Sequence, residues 1–239
     1  MDTRKTKKFF INVLLVALFL FGMAAVSSPQ PVLARIIYVN DDAPGSTHDG
    51  SSWTYAYMGL KNAVAAAVSG DQVWAAAGTY WIANGPDPLT LKNGVKVYGG
   101  FAGTEEYLED RNPDPASNGT TISGSGNTYH IVTAPADTDG TCVLDGFTVT
   151  GGYTQNLRGG GILVYGSPTL ANLLIYKNKA SRAGGMYIKG GSPTMTNIVF
   201  DGNEAGFSAG GLAIHNGSPT MENITFRNNK AFSGSEGGG

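Results

Sequence analysis

The sequence predicts an all-β chain wound as a parallel β-helix of ~25-residue coils, with a short helix closing its N-terminal end. Three observations predict it. Among 239 residues there are 35 glycines but only 16 basic and 18 acidic side chains. That is too Gly-rich and too charge-poor for a coiled coil or helical bundle, and the glycines lack the every-third spacing of collagen. The tripeptide Ser-Pro-Thr recurs at residues 167–169, 192–194 and 218–220, at intervals of 25 and 26 residues. Within each unit the apolar side chains alternate as i, i+2, which is strand periodicity.

The chain begins with a basic head (Arg4, Lys5, Lys7, Lys8), an apolar run from Phe9 to Val26 and a small-x-small site at Val32-Leu33-Ala34. This pattern reads as a secretory signal peptide over residues 1–34. A retained anchor is disfavoured because Asn12, Gly22 and the Ser27-Ser28-Pro29 break leave about 14 apolar residues, short of the roughly 20 needed to span a bilayer. Removing that segment takes four cations and one anion, and the remainder carries a net charge of −5. An acidic chain without a basic patch is no partner for nucleic acid. Cys142 is the sole cysteine, so no intramolecular disulfide staples the exported chain.

Residues 35–88 are expected to supply a first strand near 35–40 and the capping helix. That helix is placed from Trp53 to Val68, where Trp53, Tyr57, Leu60 and Val64 fall at helical spacing and Gly70-Asp71 ends the run. A solenoid needs such a cap to shield its first rung. Residues 89–152 form irregular coils, with strands expected over 89–97, 120–122 and 129–133 between Gly, Asn and Pro turns. The segment from Gly146 to Gly152 aligns with Asn172 onward at a 26-residue offset.

Residues 153–239 hold the regular repeats. Ile162, Met186 and Leu212 share a column, as do Val164, Ile188 and Ile214. Leu170, Met195 and Met221 form another, followed by Leu173, Ile198, Ile224 and by Ile175, Phe200, Phe226. Side chains so aligned stack on like chemistry one rung away, at about 4.8 Å. Two asparagine columns, Asn172/Asn197/Asn223 and Asn178/Asn203/Asn229, occupy the turns. Asn accepts left-handed geometry and its amide both donates and accepts, so the copies can bond from rung to rung. Lys179, Glu204 and Lys230 alternate in sign down one column. The Leu-x-x-Leu-x-Leu frame of leucine-rich repeats and the calcium-binding nonapeptide of β-rolls are both absent.

The pairing of Gly-Gly-x-apolar with Phe-x-x-Asn is similar to the repeats of chlamydial polymorphic outer membrane proteins. It stands here as Gly210-Gly211-Leu212-Ala213-Ile214, Phe200-Asp201-Gly202-Asn203 and Phe226-Arg227-Asn228-Asn229, while the first copy has Ile175 in place of Phe. Upstream, Ile37-Tyr38-Val39, Asp49-Gly50-Ser51-Ser52-Trp53, Ala76-Ala77-Gly78-Thr79-Tyr80 and residues 98–103 resemble the opening of secreted bacterial β-helix proteins. The resemblance covers nearly all of residues 36–239. It implies an exported, surface-exposed right-handed β-helix of adhesin or passenger type, with a C-terminal anchor or sorting element as its link to a membrane. The wider pectate-lyase-like group also includes polysaccharide lyases and glycoside hydrolases. A fold resemblance does not establish chemistry.

The residues favour the scaffold over the enzyme. A hydrolase needs two carboxylates facing one groove about 5–9.5 Å apart. In the repeats Asp201, Glu204, Glu222 and Glu236 share no column, and Lys179 and Lys230 flank Glu204. Asp137 and Asp139 sit in a plain turn close to Asp145. Asn40, Asp41, Asp42 and Asp49 offer oxygens to a Ca²⁺ ion, but they read as a polar turn, and no cofactor is assigned. His48, His130 and His215 lack a second ligand at metal spacing, and Cys142 lacks a histidine partner.

One face offers binding chemistry. Between the inward residues of the Gly-Gly strand lie the outward columns Leu163/Tyr187/Ala213 and Tyr165/Lys189/His215, with Arg158 and Arg182 one step earlier. An exposed ribbon of aromatics and cations suits an acidic glycan, such as a polysaccharide or another cell-surface ligand. The closing Gly237-Gly238-Gly239 matches the start of a coil at Gly159-Gly160-Gly161. The expectation is therefore a truncated product whose open last rung associates end to end.

Overall fold

The computed structural model describes residues 34–83 and 85–232. The expected signal peptide, apart from its last residue, and the closing glycines lie outside the described residues. Every strand pairing is parallel, and the strands stack as a β-solenoid. One long sheet orders β1 (Ile36–Val39), β2 (Gln72–Ala76), β5 (Lys96–Phe101), β8 (Val143–Arg158), β10 (Thr169–Tyr176), β13 (Thr194–Asp201) and β16 (Thr220–Arg227). A second sheet orders β4 (Leu89–Thr90), β7 (Val132–Ala134), β9 (Ile162–Val164), β12 (Met186–Lys189) and β15 (Leu212–His215). Two branches complete each coil. β3 (Gly78–Ile82) pairs with β6 (Thr120–Thr128), and β6 with β8. β11 (Lys179–Arg182) joins β8 to β14 (Glu204–Ala205), and β14 pairs with β17 (Lys230–Ala231).

The predicted columns are the observed registers, and they run beyond the recognisable repeats. Ile37, Val73, Val97, Leu144, Leu170, Met195 and Met221 pair in succession along the long sheet. Tyr80, Ile122, Val149, Ile175, Phe200 and Phe226 make a second inward column. Leu89, Val132, Ile162, Met186 and Leu212 line the second sheet. Almost all these residues fall in one continuous core cluster. Full burial of such a side chain is worth about 1.5–3 kcal/mol, so the stacks outweigh any surface ion pair. On the last described rung the same columns open: Met221 and Phe226 are 47% and 40% exposed.

Both asparagine ladders form, with different burial. Asn172, Asn197 and Asn223 take left-handed backbone at φ 48, 54 and 55, and Gly146 fills the same register position at φ 85. Their amides chain along the surface: Asn223 donates to Asn197 (3.1 Å), Asn197 to Asn172 (3.0 Å) and Asn172 to the Asp145 carboxylate (2.8 Å). The second ladder is interior, with Asn178 and Asn203 fully buried. Each of its amides donates to a backbone carbonyl one rung back: Asn178 to Val149, Asn203 to Ile175 and Asn229 to Phe200. Each Oδ1 receives a backbone N–H from the preceding rung: Gly152, Asn178 and Asn203 in turn. Buried turn donors are thereby satisfied where no strand can reach them.

The N-terminal region corrects the sequence reading. The helix α1 spans only Leu60–Ala66, starting after Gly59, and buries Leu60, Ala63 and Val64 against the first rungs. Trp53 and Tyr57 are not helical. Tyr57 bridges to Val39 and so extends the edge beyond β1. Trp53 packs on Tyr38 (4.7 Å between ring centroids) and Phe101 (5.6 Å), and its indole N–H donates to the Glu105 carbonyl at 3.0 Å. Their helix-like spacing therefore reflects two separate tertiary contacts. The strand expected over 89–97 is two strands, β4 and β5, separated by a turn in which Gly94 has φ 75.

Candidate functional site

The site grows from a break in the repeat. β11 pairs Lys179 with Tyr153 and Ala180 with Thr154, but Arg182 with Arg158. Residues 155–157 of β8 thus stand opposite Ser181 alone, which makes a bulge with two surplus residues. The Leu157 N–H donates to Thr154 Oγ1 at 3.1 Å and fixes the bulge, leaving Gln155, Asn156 and Leu157 exposed.

The bulge delivers Arg158 to the outer surface of the second sheet. Its Nη1 donates to Tyr187 Oη at 2.7 Å, and the guanidinium carbon lies 5.1 Å from that ring's centroid. Lys189 Nζ sits 5.6 Å from the centroid of Tyr165, and His215 stacks on Tyr187 at 6.5 Å. Arg158, Tyr165, Tyr187 and Lys189 border one cleft of about 240 Å³, together with His130 and Leu163. Arg158 and Arg182 border an adjoining hollow of about 270 Å³, with Asn156 and Phe207. Among the described residues no carboxylate lines either space. Among the described residues, none of Arg158, Arg182 and Lys189 lies within ion-pair distance of an acid; the repeat acids Asp201 and Glu204 pair with Arg227 and Lys179 instead.

The exposure of the ribbon residues differs from the sequence expectation at one column. Tyr187 was expected to be exposed, but only 4% of it is, and Leu163 is 8% exposed. They point away from the main core and form a small second apolar cluster with Ala183, closed over by the Arg158 side chain. Tyr165, Arg182, Lys189 and His215 remain exposed.

His130 is part of the cleft wall, not an isolated turn residue. Its Nδ1 lies 2.8 Å from the Gly159 carbonyl, which can only accept, so Nδ1 carries the proton. Burial holds its pKa below the ordinary histidine value, against the raising effect of that bond. Elsewhere the polar candidates are engaged locally. Asn40 Oδ1 accepts the Asp42 N–H at 3.0 Å, and Asp49 Oδ1 accepts the Ser51 N–H at 2.9 Å. Asp145 is paired with Arg111 at 2.7 Å. Among the described residues no three His, Cys, Asp or Glu side chains converge as a metal site would need. Cys142 is fully buried and its thiol is pushed up to about 12, mainly by desolvation.

Sequence reasoning missed Tyr129, Tyr153, Gln155, Asn156 and Leu157 and dismissed His130. The signal was present: six steps separate Thr154 from Gly160, where four separate their partners Ala180 and Gly184.

Fold and site together define a helix-capped parallel β-solenoid with a cationic, aromatic cleft on one flank. A family model described as "Protein of unknown function (DUF1565)" matches residues 42–237, and the chain belongs to that family. Comparison with curated proteins and with solved structures yields no match.

Proposed function

We propose that the protein is an exported, cell-surface scaffold of adhesin or passenger type that binds acidic polysaccharide through this cleft. The observation that carries the reading is the convergence of Arg158, Arg182 and Lys189 on spaces without a lining carboxylate, in a chain whose mature net charge is −5. Unpaired cations beside ring faces fit a ligand that brings its own negative charge on a sugar ring. The signal-peptide pattern and the resemblance to polymorphic outer membrane repeats support export and surface display. A lyase or hydrolase of the pectate-lyase-like group is the weaker reading, because the carboxylates it would use are engaged in ion pairs away from the cleft. The test is a glycan array probed with the mature chain and with an Arg158→Ala/Arg182→Ala/Lys189→Ala variant. Salt-sensitive binding of anionic glycans that the variant loses is expected; a parent that binds none, or a variant that binds them equally, refutes the proposal.

A further inference from the structure

A hollow of about 690 Å³ shares Asn156 and Leu157 with the cationic cleft. Its character is different. Tyr129, Tyr153 and Gln155 line it, and among the described residues no carboxylate, lysine or arginine does. Gln155 Nε2 donates to Tyr153 Oη at 2.8 Å, so the amide and the ring hold each other in place. The volume lies within the range of small-ligand sites. Aromatic rings offer apolar faces to the C–H surface of a sugar, while side-chain amides donate to and accept from hydroxyl and acetamido groups. Nothing here would repay the desolvation of a charged group.

We infer that this hollow is an uncharged saccharide subsite adjoining the cationic one, so that the ligand is a heteropolysaccharide in which a neutral hexose or N-acetylhexosamine neighbours a uronate. This inference rests on the acidic-polysaccharide reading and adds a specificity that reading lacks. The same bulge builds both subsites: Tyr153 and Gln155 precede its apex and Arg158 follows it. A homopolymer of uronates would have to place a carboxylate among Tyr129, Tyr153 and Gln155 with no cation among the described lining residues to receive it.

Calorimetric titration of the mature chain with two defined hexasaccharides tests the inference. One alternates glucuronate with N-acetylgalactosamine; the other is oligogalacturonate. The alternating probe is expected to bind about tenfold more tightly. Tyr153→Ala should erase that preference without weakening oligogalacturonate, whereas Arg158→Ala should weaken both probes. Gln155→Ala, at an exposed position, repeats the test where loss of the Tyr153 ring disturbs β8. Equal affinity of the two probes, unaffected by Tyr153→Ala and Gln155→Ala, overturns the neutral subsite and leaves the cationic cleft standing. If neither probe binds the parent, the acidic-polysaccharide reading falls and takes the subsite with it.

Discussion

Replacing Asn203 by Ala should cost about 4 kcal/mol, because its side chain serves three rungs at once. Asn203 Oδ1 accepts the Asn178 backbone N–H at 3.0 Å and its Nδ2 at 3.2 Å. Its own amide donates to the Ile175 carbonyl at 2.8 Å and to Asn229 Oδ1 at 3.0 Å. The Asn178 amide keeps its bond to Val149, but its backbone N–H would be left unpaired at a fully buried residue. An orphaned buried donor costs about 1–3 kcal/mol, and each other lost bond about 1. The surface ladder is the control. Asn197→Gly also removes two inter-rung bonds, but it does so at an exposed residue whose φ of 54 suits glycine. That change should cost at most about 1 kcal/mol. Guanidinium unfolding of residues 35–239, followed by circular dichroism, measures both, and amide exchange at Asn178 reports whether the rung opens locally. If Asn203→Ala costs no more than Asn197→Gly, the ladder is not what satisfies the interior turn.

Four further outcomes follow from the structure. Burial tends to raise the pKa of Asp71, but bonds from the Val68 N–H and from Arg35 outweigh it and leave the carboxyl below the usual range. Its folded value is depressed, so its contribution is complete above about pH 4 and is lost as pH falls through that value. Asp71→Asn should destabilise by about 1–3 kcal/mol at neutral pH, with the gap closing in acid; a pH-independent gap contradicts this. Burial, which raises a carboxyl, depresses the folded pKa of the cationic His130. The unfolded chain therefore takes up the proton first, and stability declines as pH falls below about 6.5. His130→Gln should flatten unfolding midpoints between neutral and mildly acid pH, and an unchanged slope refutes the assignment. Cys142 should resist a thiol-specific disulfide reagent in the native state and react on unfolding; native labelling at a free-thiol rate contradicts its burial. Finally, Met221 and Phe226 are exposed beside an edge of β16 that no described strand covers. A polypeptide of residues 35–239 should self-associate in sedimentation, and Phe226→Lys should weaken that association; a parent that stays monomeric at high concentration overturns the expectation.

The columns were legible because a solenoid writes each contact several times. Leu170, Met195 and Met221 are neighbours in space because they are equivalent in the repeat, and the same logic extended correctly from Gly146 to Asn172. Singular contacts leave no such record. Trp53 and Tyr57 satisfy a helical spacing, but the partners that place them, Tyr38 and Phe101 for one and Val39 for the other, are distant in sequence. The burial of Tyr187 depends on Arg158, which reaches it only because β8 bulges. Alignment by columns rewards matching positions and passes over surplus ones, so residues 155–157 stayed unread although Asn156 and Leu157 form the wall shared by the hollows.

In a solenoid, equivalent rungs present equivalent surfaces, and a ligand-specific site has to arise where equivalence fails. Of the departures that interrupt the stacked coils, two can be set side by side, and their chemistry separates them. The first is the excursion between β5 and β6, and its polar groups turn back on the protein. Arg111 binds the Gly99 carbonyl and Asp145, Asn118 binds the Gly146 carbonyl, and Asp114 accepts from Ala116 and Ser117. A hollow of about 400 Å³ beside that excursion includes Arg227, which is already paired with Asp201. The second departure, the bulge of β8, ends differently. It brings Arg158 beside Arg182 and near Lys189 with no acid among the described residues to balance them. Arg158 is held by the hydroxyl and ring of Tyr187 and Lys189 lies over the Tyr165 ring, so in the function proposed here the ligand supplies the counter-charge. By the same accounting the excursion is structural, and the bulge is where the proposed ligand would sit.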